Sequence, residues 1–243
     1  MPRVFALAGY VSRGVRWDQR FTPRWNRCLK REGITGGYHA TDAEWPFHHV
    51  YAQVWRPKKD APEETQADID QAKTQAVAFK QKLVGIIEDS VAFGVGTAVP
   101  LANMEDESIS LAYRFCVKMC LEEMLEEISE CADIPPDMPI LLVFEDGDGV
   151  EGEVRPFLKK MRAKQPGFDR FDCGNFADKL SFPPLQSADM IAFEVRKRAE
   201  AKLTGGLHGR RKLSIELAMK IPTKAALYDE QAFREINRAF ASR

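Results

Sequence analysis

Apolar and polar positions follow two different periods along this chain, and the two alternate. Short apolar runs at 4–11, 91–99 and 140–144 predict strands covered on both faces, and a fourth strand is predicted at about 168–173. Apolar residues at helical spacing predict helices over 63–89, 108–131 and 151–164, another from about residue 185, and a shorter helical segment between 17 and 29. Strands that alternate with helices predict an α/β protein with a layered sheet.

Glycine, proline and aromatic residues mark the boundaries of this pattern. Residues 36–61 are rich in aromatic residues, histidine and proline, which predicts an ordered but irregular excursion long enough to suggest a function. Gly205-Gly206 predicts a hinge after a domain that spans residues 1–204. The remaining 205–243 form a C-terminal extension that we expect to pack on the same domain, with a last helix that contains Phe233, Ile236 and Phe240.

Composition limits the possible partners. The chain has 243 residues, 44% of them hydrophobic, which suffices for the core of one domain. Its 35 basic and 36 acidic residues nearly balance, so any site for a polyanion must be local. No apolar run approaches the roughly 20 residues that span a bilayer, and the start lacks a signal-peptide layout, so we expect a cytoplasmic protein without a membrane partner.

The five cysteines fit that compartment, and we expect them to be reduced. Cys116 and Cys120 lie four residues apart in a predicted helix and leave a zinc site as an alternative. The Cys-x-x-Cys pairs of common zinc modules are absent from the sequence, which argues against it.

Asp146 stands where the most strand-like segment ends. It follows the apolar run 140–144, and α/β sheets build their sites at the carboxyl ends of such strands. Glu145 is predicted to point to the other face. The Asp-Gly pairs that follow also fit an ordinary turn, which carries about equal weight. An EF-hand is disfavoured because Val150 and Glu151 occupy positions where a ligand and a glycine are required.

Asp189 lies at the border of the buried stripe of the last predicted helix, while Glu194 lies nearly opposite and is predicted to be solvated. A carboxylate at such a border costs desolvation energy unless a cation or a hydrogen-bond donor meets it. The alternative is compensation of the helix dipole, worth roughly 0.3 to 1 kcal/mol. The stripe consists of Leu185, Ala188, Ala192, Val195 and Ala199.

Four motifs in this order resemble the bacterial and phage domain-of-unknown-function family 3800. The motifs are Phe5-Ala6-Leu7-Ala8-Gly9-Tyr10, Tyr38-His39-Ala40-Thr41-Asp42, Leu142-Val143-Phe144-Glu145-Asp146, and Asp178-Lys179 followed by Pro184-Leu185-Gln186-Ser187-Ala188-Asp189-Met190-Ile191-Ala192. The last motif is fairly specific, whereas the others gain weight from their order. The similarity extends to about Lys202.

The resemblance implies a ribonuclease-H-like fold, a mixed sheet flanked by helices with helical insertions, and nuclease activity. It matches Asp189 to the acid on the last helix and Asp146 or Glu145 to the acid that ends the fourth strand. Asp178 matches the acid of an aspartate-x-lysine motif, although here Asp178 and Lys179 are adjacent. The implied chemistry is two-metal phosphodiester hydrolysis, with Mg²⁺ or Mn²⁺ held by Asp146 and Asp189.

One departure from the family concerns its opening strand, which ends in aspartate-glutamate-serine-glycine and supplies the central metal ligand. Nothing here corresponds to it, since Met1 stands where the second strand is about to start. Either the chain was cut, or its start was misassigned, or this member lacks that strand and ligand. Loss of a central strand would leave a sheet edge that has to be covered.

Several basic and aromatic residues could contact nucleic acid. Lys179 or His39 could hold the scissile phosphate or move a proton, although a histidine in an aromatic segment is more often structural. His48-His49, near Trp45 and Phe47, could stack on a base, but core packing of these aromatics is favoured. The local concentration of basic residues fits a phosphate track or an exposed face equally well, and it consists of Arg196, Lys197, Arg198, Lys202, Arg210, Arg211 and Lys212.

The sequence leaves three functional hypotheses. The first is a divalent-metal nuclease that acts on DNA or RNA. The second, motivated by the missing first aspartate, is a catalytically inactive nucleic-acid-binding or assembly module of the same fold. The third is a structural partner protein whose acids have no metal to bind.

Overall fold

The computed structural model describes residues 3–40, 66–101, 107–135, 137–147, 150–205, 217–229, 231–232 and 235. These residues form a mixed α/β protein with two small sheets. Within this part of the chain, no helix is both long enough and apolar enough to cross a bilayer.

The first sheet has strand order β1-β2-β5, with β1 at Val4–Val11, β2 at Phe93–Pro100 and β5 at Thr223–Leu227. The β1 and β2 strands are antiparallel over their whole length, from the pair Val4 and Pro100 to the pair Val11 and Phe93. The β5 strand lies parallel to β2 and opposite Gly94 to Ala98. Every position of β2 is buried, as its uniformly apolar or small sequence predicts.

The second sheet pairs β3, Ile140–Glu145, with β4, Phe171–Ala177, in parallel. The β4 strand begins three residues later than predicted because Phe168–Arg170 form a 3-10 turn. Gly167, which precedes this turn, has a φ of 81°, a left-handed value that favours glycine.

The helices follow the predicted periodicity closely. They are α1 (Gly14–Arg16), a π-helical turn (Trp17–Phe21), α2 (Thr22–Arg31), α3 (Gln66–Glu88), α4 (Glu107–Glu130), α5 (Val150–Lys164) and α6 (Pro184–Leu203). The chain changes from π-helical to α-helical geometry at Thr22, and Pro23 lies in the first turn of α2, where its missing N–H is tolerated.

The α4 and α6 helices cover opposite faces of the first sheet. On one face Cys120 Sγ lies 3.5 Å from Thr97 Oγ1, and on the other Val195 Cγ2 lies 3.0 Å from where a Cβ of Gly96 would stand. Neighbouring strand residues point to opposite faces, so α4, which contacts Thr97, and α6, which contacts Gly96, lie on opposite sides of the sheet. Glycine in β2 therefore lets α6 approach the sheet closely.

A third layer packs behind α6 and corrects the prediction for Glu194. Met190 and Phe193 of α6 pack against Phe79 and Leu83 of α3, together with residues of α2. Both faces of α6 are covered, so Glu194 is buried, with 4% of its surface exposed, instead of solvated. A single buried stripe, which periodicity assumes, does not describe a helix that lies between two layers.

Two further expectations differ from the structure. The run 140–144 predicted a central strand, but β3 pairs only with β4 among the described strands, and Leu141 is 57% exposed. In the C-terminal extension, β5 was not predicted; it joins the first sheet, and its Lys224 bonds Glu127 of α4 at 2.7 Å.

Three predictions fall outside the described residues. They concern the last helix around Phe233 to Phe240, most of the 36–61 excursion, and Asp42.

Candidate functional site

A cavity of about 990 Å³ lies between the two sheets, bounded by β1, β3, α4 and α6. Most of its wall is apolar. Its polar lining residues include Asp189, His39, Glu145, Asp146 and Lys179. The structure thus brings five residues that the sequence selected as candidates to a single cavity.

Asp189 is the most firmly held of these residues. Its Oδ2 accepts the backbone N–H of Ala40 at 2.8 Å and lies 3.1 Å from His39 Nδ1. A carboxylate can only accept, so the hydrogen of this contact lies on His39 Nδ1. A carboxylate at the border of a buried stripe needs hydrogen-bond donors, and the segment after α2 supplies them to Asp189.

Gln186 organises this end of the cavity, although the sequence assigned it no role. Its Oε1 accepts hydrogen bonds from Trp25 Nε1 at 2.9 Å and from the Tyr38 backbone N–H at 2.7 Å. Its Nε2 donates to the Lys179 carbonyl at 2.8 Å. The amide is 2% exposed, and it fixes the backbone next to both His39 and Lys179. The only indication of this role in the sequence was the position of Gln186 within the motif 184–192.

Close packing also fixes the chain at Gly37, whose φ is 77°. A Cβ at this position would stand 2.7 Å from Leu180 Cδ2 and 2.9 Å from Gln186 Nε2. Only glycine combines the left-handed backbone with this approach, so the segment that carries His39 is held against the turn that carries Lys179.

Asp146 and Glu145 end β3. The Asp146 backbone N–H donates to the Ala177 carbonyl at 2.9 Å, and its carboxylate has no hydrogen-bond or ion-pair partner among the described residues. Glu145 lies 3.1 Å from Lys179 Nζ. Both acids line the cavity, because the cavity follows the edge of β3 and not one of its faces, so residues that point to either face reach it.

Asp178 serves the local turn. Its Oδ1 accepts the Leu180 backbone N–H at 2.6 Å, and its carbonyl accepts from Ser181 Oγ and the Phe182 N–H. The residue is exposed and is not part of the cavity lining. The structure therefore gives Asp178 the part of an Asx-type cap that shapes the link into α6.

The predicted phosphate track is only partly described. Arg196 lies 3.8 Å from Glu200 and 5.1 Å over the ring of Phe193, so it is engaged within α6. Arg198 is exposed on the same helix. Arg210 and Arg211 lie outside the described residues. Of the described track residues, Arg198 and Lys202 are exposed, and outside the track Lys179 lines the cavity.

Burial changes the acidity of several groups near the site. Desolvation raises the pKa of Tyr10, which lines the cavity, and the nearby Glu194 raises it further. Burial raises the pKa of Cys116 and raises that of Cys120 to about 12. The described cysteines Cys28, Cys116, Cys120 and Cys131 are free thiols. Within the described ranges, no group of three or more histidine, cysteine, aspartate or glutamate side chains is placed to hold a metal ion.

Comparison of the chain with protein-family models, with curated proteins and with solved structures finds no match. The geometry of the cavity and the motifs that line it therefore carry the functional argument.

Proposed function

We propose that this chain is a ribonuclease-H-like protein that hydrolyses phosphodiester bonds of DNA or RNA with a divalent cation, Mg²⁺ or Mn²⁺. One observation carries the proposal: Asp146 and Asp189 come from different elements, the end of β3 and the first turns of α6, and line the same cavity. Carboxylates at the carboxyl ends of parallel strands are typical of α/β sites.

The donor set fits such a cation in part. Mg²⁺ is commonly bound through one or two protein carboxylates, with waters and substrate phosphate as its other ligands. The Asp146 carboxylate has no described partner, and Asp189 keeps Oδ1 beside the Oδ2 that His39 and Ala40 engage. The cation would activate water and stabilise the leaving oxygen.

The remaining polar residues would position the substrate and the proton. Lys179 is 19% exposed and balances Glu145, so it can turn toward a phosphate oxygen that enters the cavity. Asp189 holds the ring of His39 so that Nε2 can accept a proton from water or return one to the leaving oxygen. Gln186 fixes the backbone of both segments.

The test uses labelled single- and double-stranded DNA and RNA with Mn²⁺, and compares the native chain with Asp146→Asn and Asp189→Asn. Asparagine keeps an oxygen that can accept the Ala40 N–H, so the fold should survive while cleavage falls by at least about 100-fold. The control is Asp172→Asn, an exposed β4 residue that is not part of the cavity lining. Equal cleavage by Asp189→Asn would sink the proposal.

A second candidate is a nucleic-acid-binding or assembly module without catalysis. It is favoured by the absence, among the described residues, of a group of three metal-ligating side chains. This candidate requires binding of the same oligonucleotides that weakens as salt rises, with no product at any metal concentration. Cleavage by the native chain rules it out.

A further inference from the structure

The apolar part of the cavity runs along β1 and β3, where one more strand could pair. Its lining includes consecutive residues of β1, Phe5 to Val11, and of β3, Ile140 to Glu145. Successive side chains of a strand point to opposite faces, so a surface that contacts every residue in turn follows the edge of the strand. The cavity therefore lies between two strand edges.

Both edges are open in the described structure. The β1 strand pairs with β2 on one side, the β3 strand pairs with β4 on one side, and neither has a described partner on the side of the cavity. Open edges present unpaired N–H and C=O groups that favour an added strand. Leu141, 57% exposed in an apolar run, marks the surface that this opening leaves uncovered.

The two strands end at the same end of the cavity. Ile191 and Val195 of α6 approach Gly94 and Gly96 of β2, which pair with Tyr10 and Ala8, so the start of α6 lies at the carboxyl end of β1. Glu145 is bonded there as well, through Lys179, whose carbonyl accepts from Gln186. The polar end of the cavity therefore lies where the carboxyl ends of β1 and β3 and the start of α6 come together.

The lengths of the two edges set the length of the occupant. The β3 edge has six residues and the β1 edge has eight, so a strand of about six residues can pair along both.

The walls and the polar end define the chemistry of the occupant. Val117 and Met124 of α4 line one side and Leu185 and Ala192 of α6 the other, so alternate side chains of an inserted strand meet apolar surface on both faces. At the polar end, Asp18, Asp146 and Asp189 line the cavity together with Arg13, whereas Lys179 is already paired with Glu145, so acidic side chains remain in excess. This charge favours a basic residue at the end of the strand.

We infer that the slot between β1 and β3 binds an extended peptide from another polypeptide, as a strand of about six residues that is apolar on both faces and carries lysine or arginine at the Asp146 end. The peptide completes one continuous sheet by pairing with both open edges. This interaction does not depend on metal chemistry at Asp146 and Asp189.

Gly9 offers a variant that fills the slot. Gly9 lines the cavity, and a Cβ at this position meets no atom within 4 Å, so Gly9→Leu places its side chain in the open slot without a clash in the free chain. Gly152→Leu is the matched control, since Gly152 is exposed on α5, also has open space and is not part of the lining.

The experiment selects displayed peptides with eight random positions against the full chain in EDTA and measures the affinity of the best peptide as a synthetic compound. Selected peptides should be rich in β-branched residues, with lysine or arginine at one end. Gly9→Leu and N-methylation of alternate peptide amides should each weaken binding at least about tenfold. Gly152→Leu should bind like the native chain.

Hydrogen exchange identifies the mode of binding. On peptide addition, amides of both β1 and β3 should gain protection. The inference is overturned if no peptide is enriched, if N-methylation has no effect, or if the free chain already protects both edges because they pair with each other, with another segment or with a second copy. Binding in EDTA without nuclease activity would leave the inference standing and remove the proposed function alone.

Discussion

The side chain of Gln186 joins three parts of the chain through one amide. It receives hydrogen bonds from Trp25 and Tyr38 and donates one to the backbone at Lys179, all inside the protein. The acids at the cavity are less constrained, since Asp146 and Glu145 are exposed at the end of β3. The geometry of the polar end therefore depends on a neutral residue more than on any of its charges.

Replacing Gln186 with leucine should lower the free energy of unfolding by about 2–5 kcal/mol, because two buried donors lose their acceptor. Chemical denaturation measures this loss. The control is Gln75→Leu, on the exposed side of α3, which should stay within about 0.5 kcal/mol of the native chain. A loss below about 1 kcal/mol for Gln186→Leu would contradict the hydrogen-bond assignment.

Cys120 should make the stability of the chain sensitive to alkaline pH. Burial raises the pKa of its thiol from an ordinary value of 9.0 to about 12, while the unfolded chain ionises at the ordinary value. Its contribution is fully present below about pH 9 and is lost as pH rises toward about 12, because only the unfolded state gains by releasing the proton.

Denaturation curves at several alkaline pH values test this effect, with Cys120→Ala losing less stability over that range than the native chain. The control, Cys131→Ala, removes a half-buried thiol just after α4 and should behave like the native chain. An identical alkaline loss in Cys120→Ala would show that other groups cause it.

At the scale of elements, β3 combines a central-strand sequence with an open edge. Leu142 is 7% exposed and belongs to the core between the two sheets, whereas its neighbour Leu141 is 57% exposed. All five residues of 140–144 are apolar, so the sequence does not show which of them is buried. The pattern indicates only that each side chain favours a nonpolar environment.

Truncation of the two leucines should therefore have unequal effects. Leu142→Ala should cost about 2–4 kcal/mol of unfolding free energy, because it leaves a cavity in the core. Leu141→Ala, the matched variant on the other face, should cost less than about 1 kcal/mol. Equal costs would mean that the edge of β3 is covered in the free chain.

Sequence periodicity recovered most elements because local patterns determine them. The helices over 66–88, 107–130 and 150–164 and the strands at 4–11 and 93–100 begin and end close to their predicted positions. It missed β5, whose sequence Thr-Lys-Ala-Ala-Leu has little strand preference and depends on pairing with β2. It also missed the burial of Glu194, since α6 is covered by two layers.

For the candidate site, the sequence selected residues but not the contacts that hold them. Asp146, Asp189, Glu145, Lys179 and His39 line one cavity, because the end of β3, the first turns of α6 and the segments before α6 and after α2 converge there. The sequence could not show that Asp178 caps a turn or that Gln186 connects three segments, since both depend on contacts between loops. Such contacts leave no periodic signal.

At the scale of the whole molecule, the two sheets share their helical layers but not their strands. Helix α4 packs on the first sheet through Cys120 and joins the core around Leu142 of the second. The C-terminal strand also contacts α4, where Lys224 meets Glu126 and Glu127. Helices therefore hold together a sheet layer that is interrupted at the cavity.

The pairing of β2 with β5 also sets the order in which the protein can be completed during synthesis. Residues 94–98 of β2 leave the ribosome long before their partners at 223–227, so this edge of a fully buried strand stays exposed while about half of the chain is still to be made. Distant pairing of this kind slows folding, because a long loop must close before the contacts form. A nascent chain stalled before Thr223 would accordingly be a natural client for chaperones that recognise extended apolar segments.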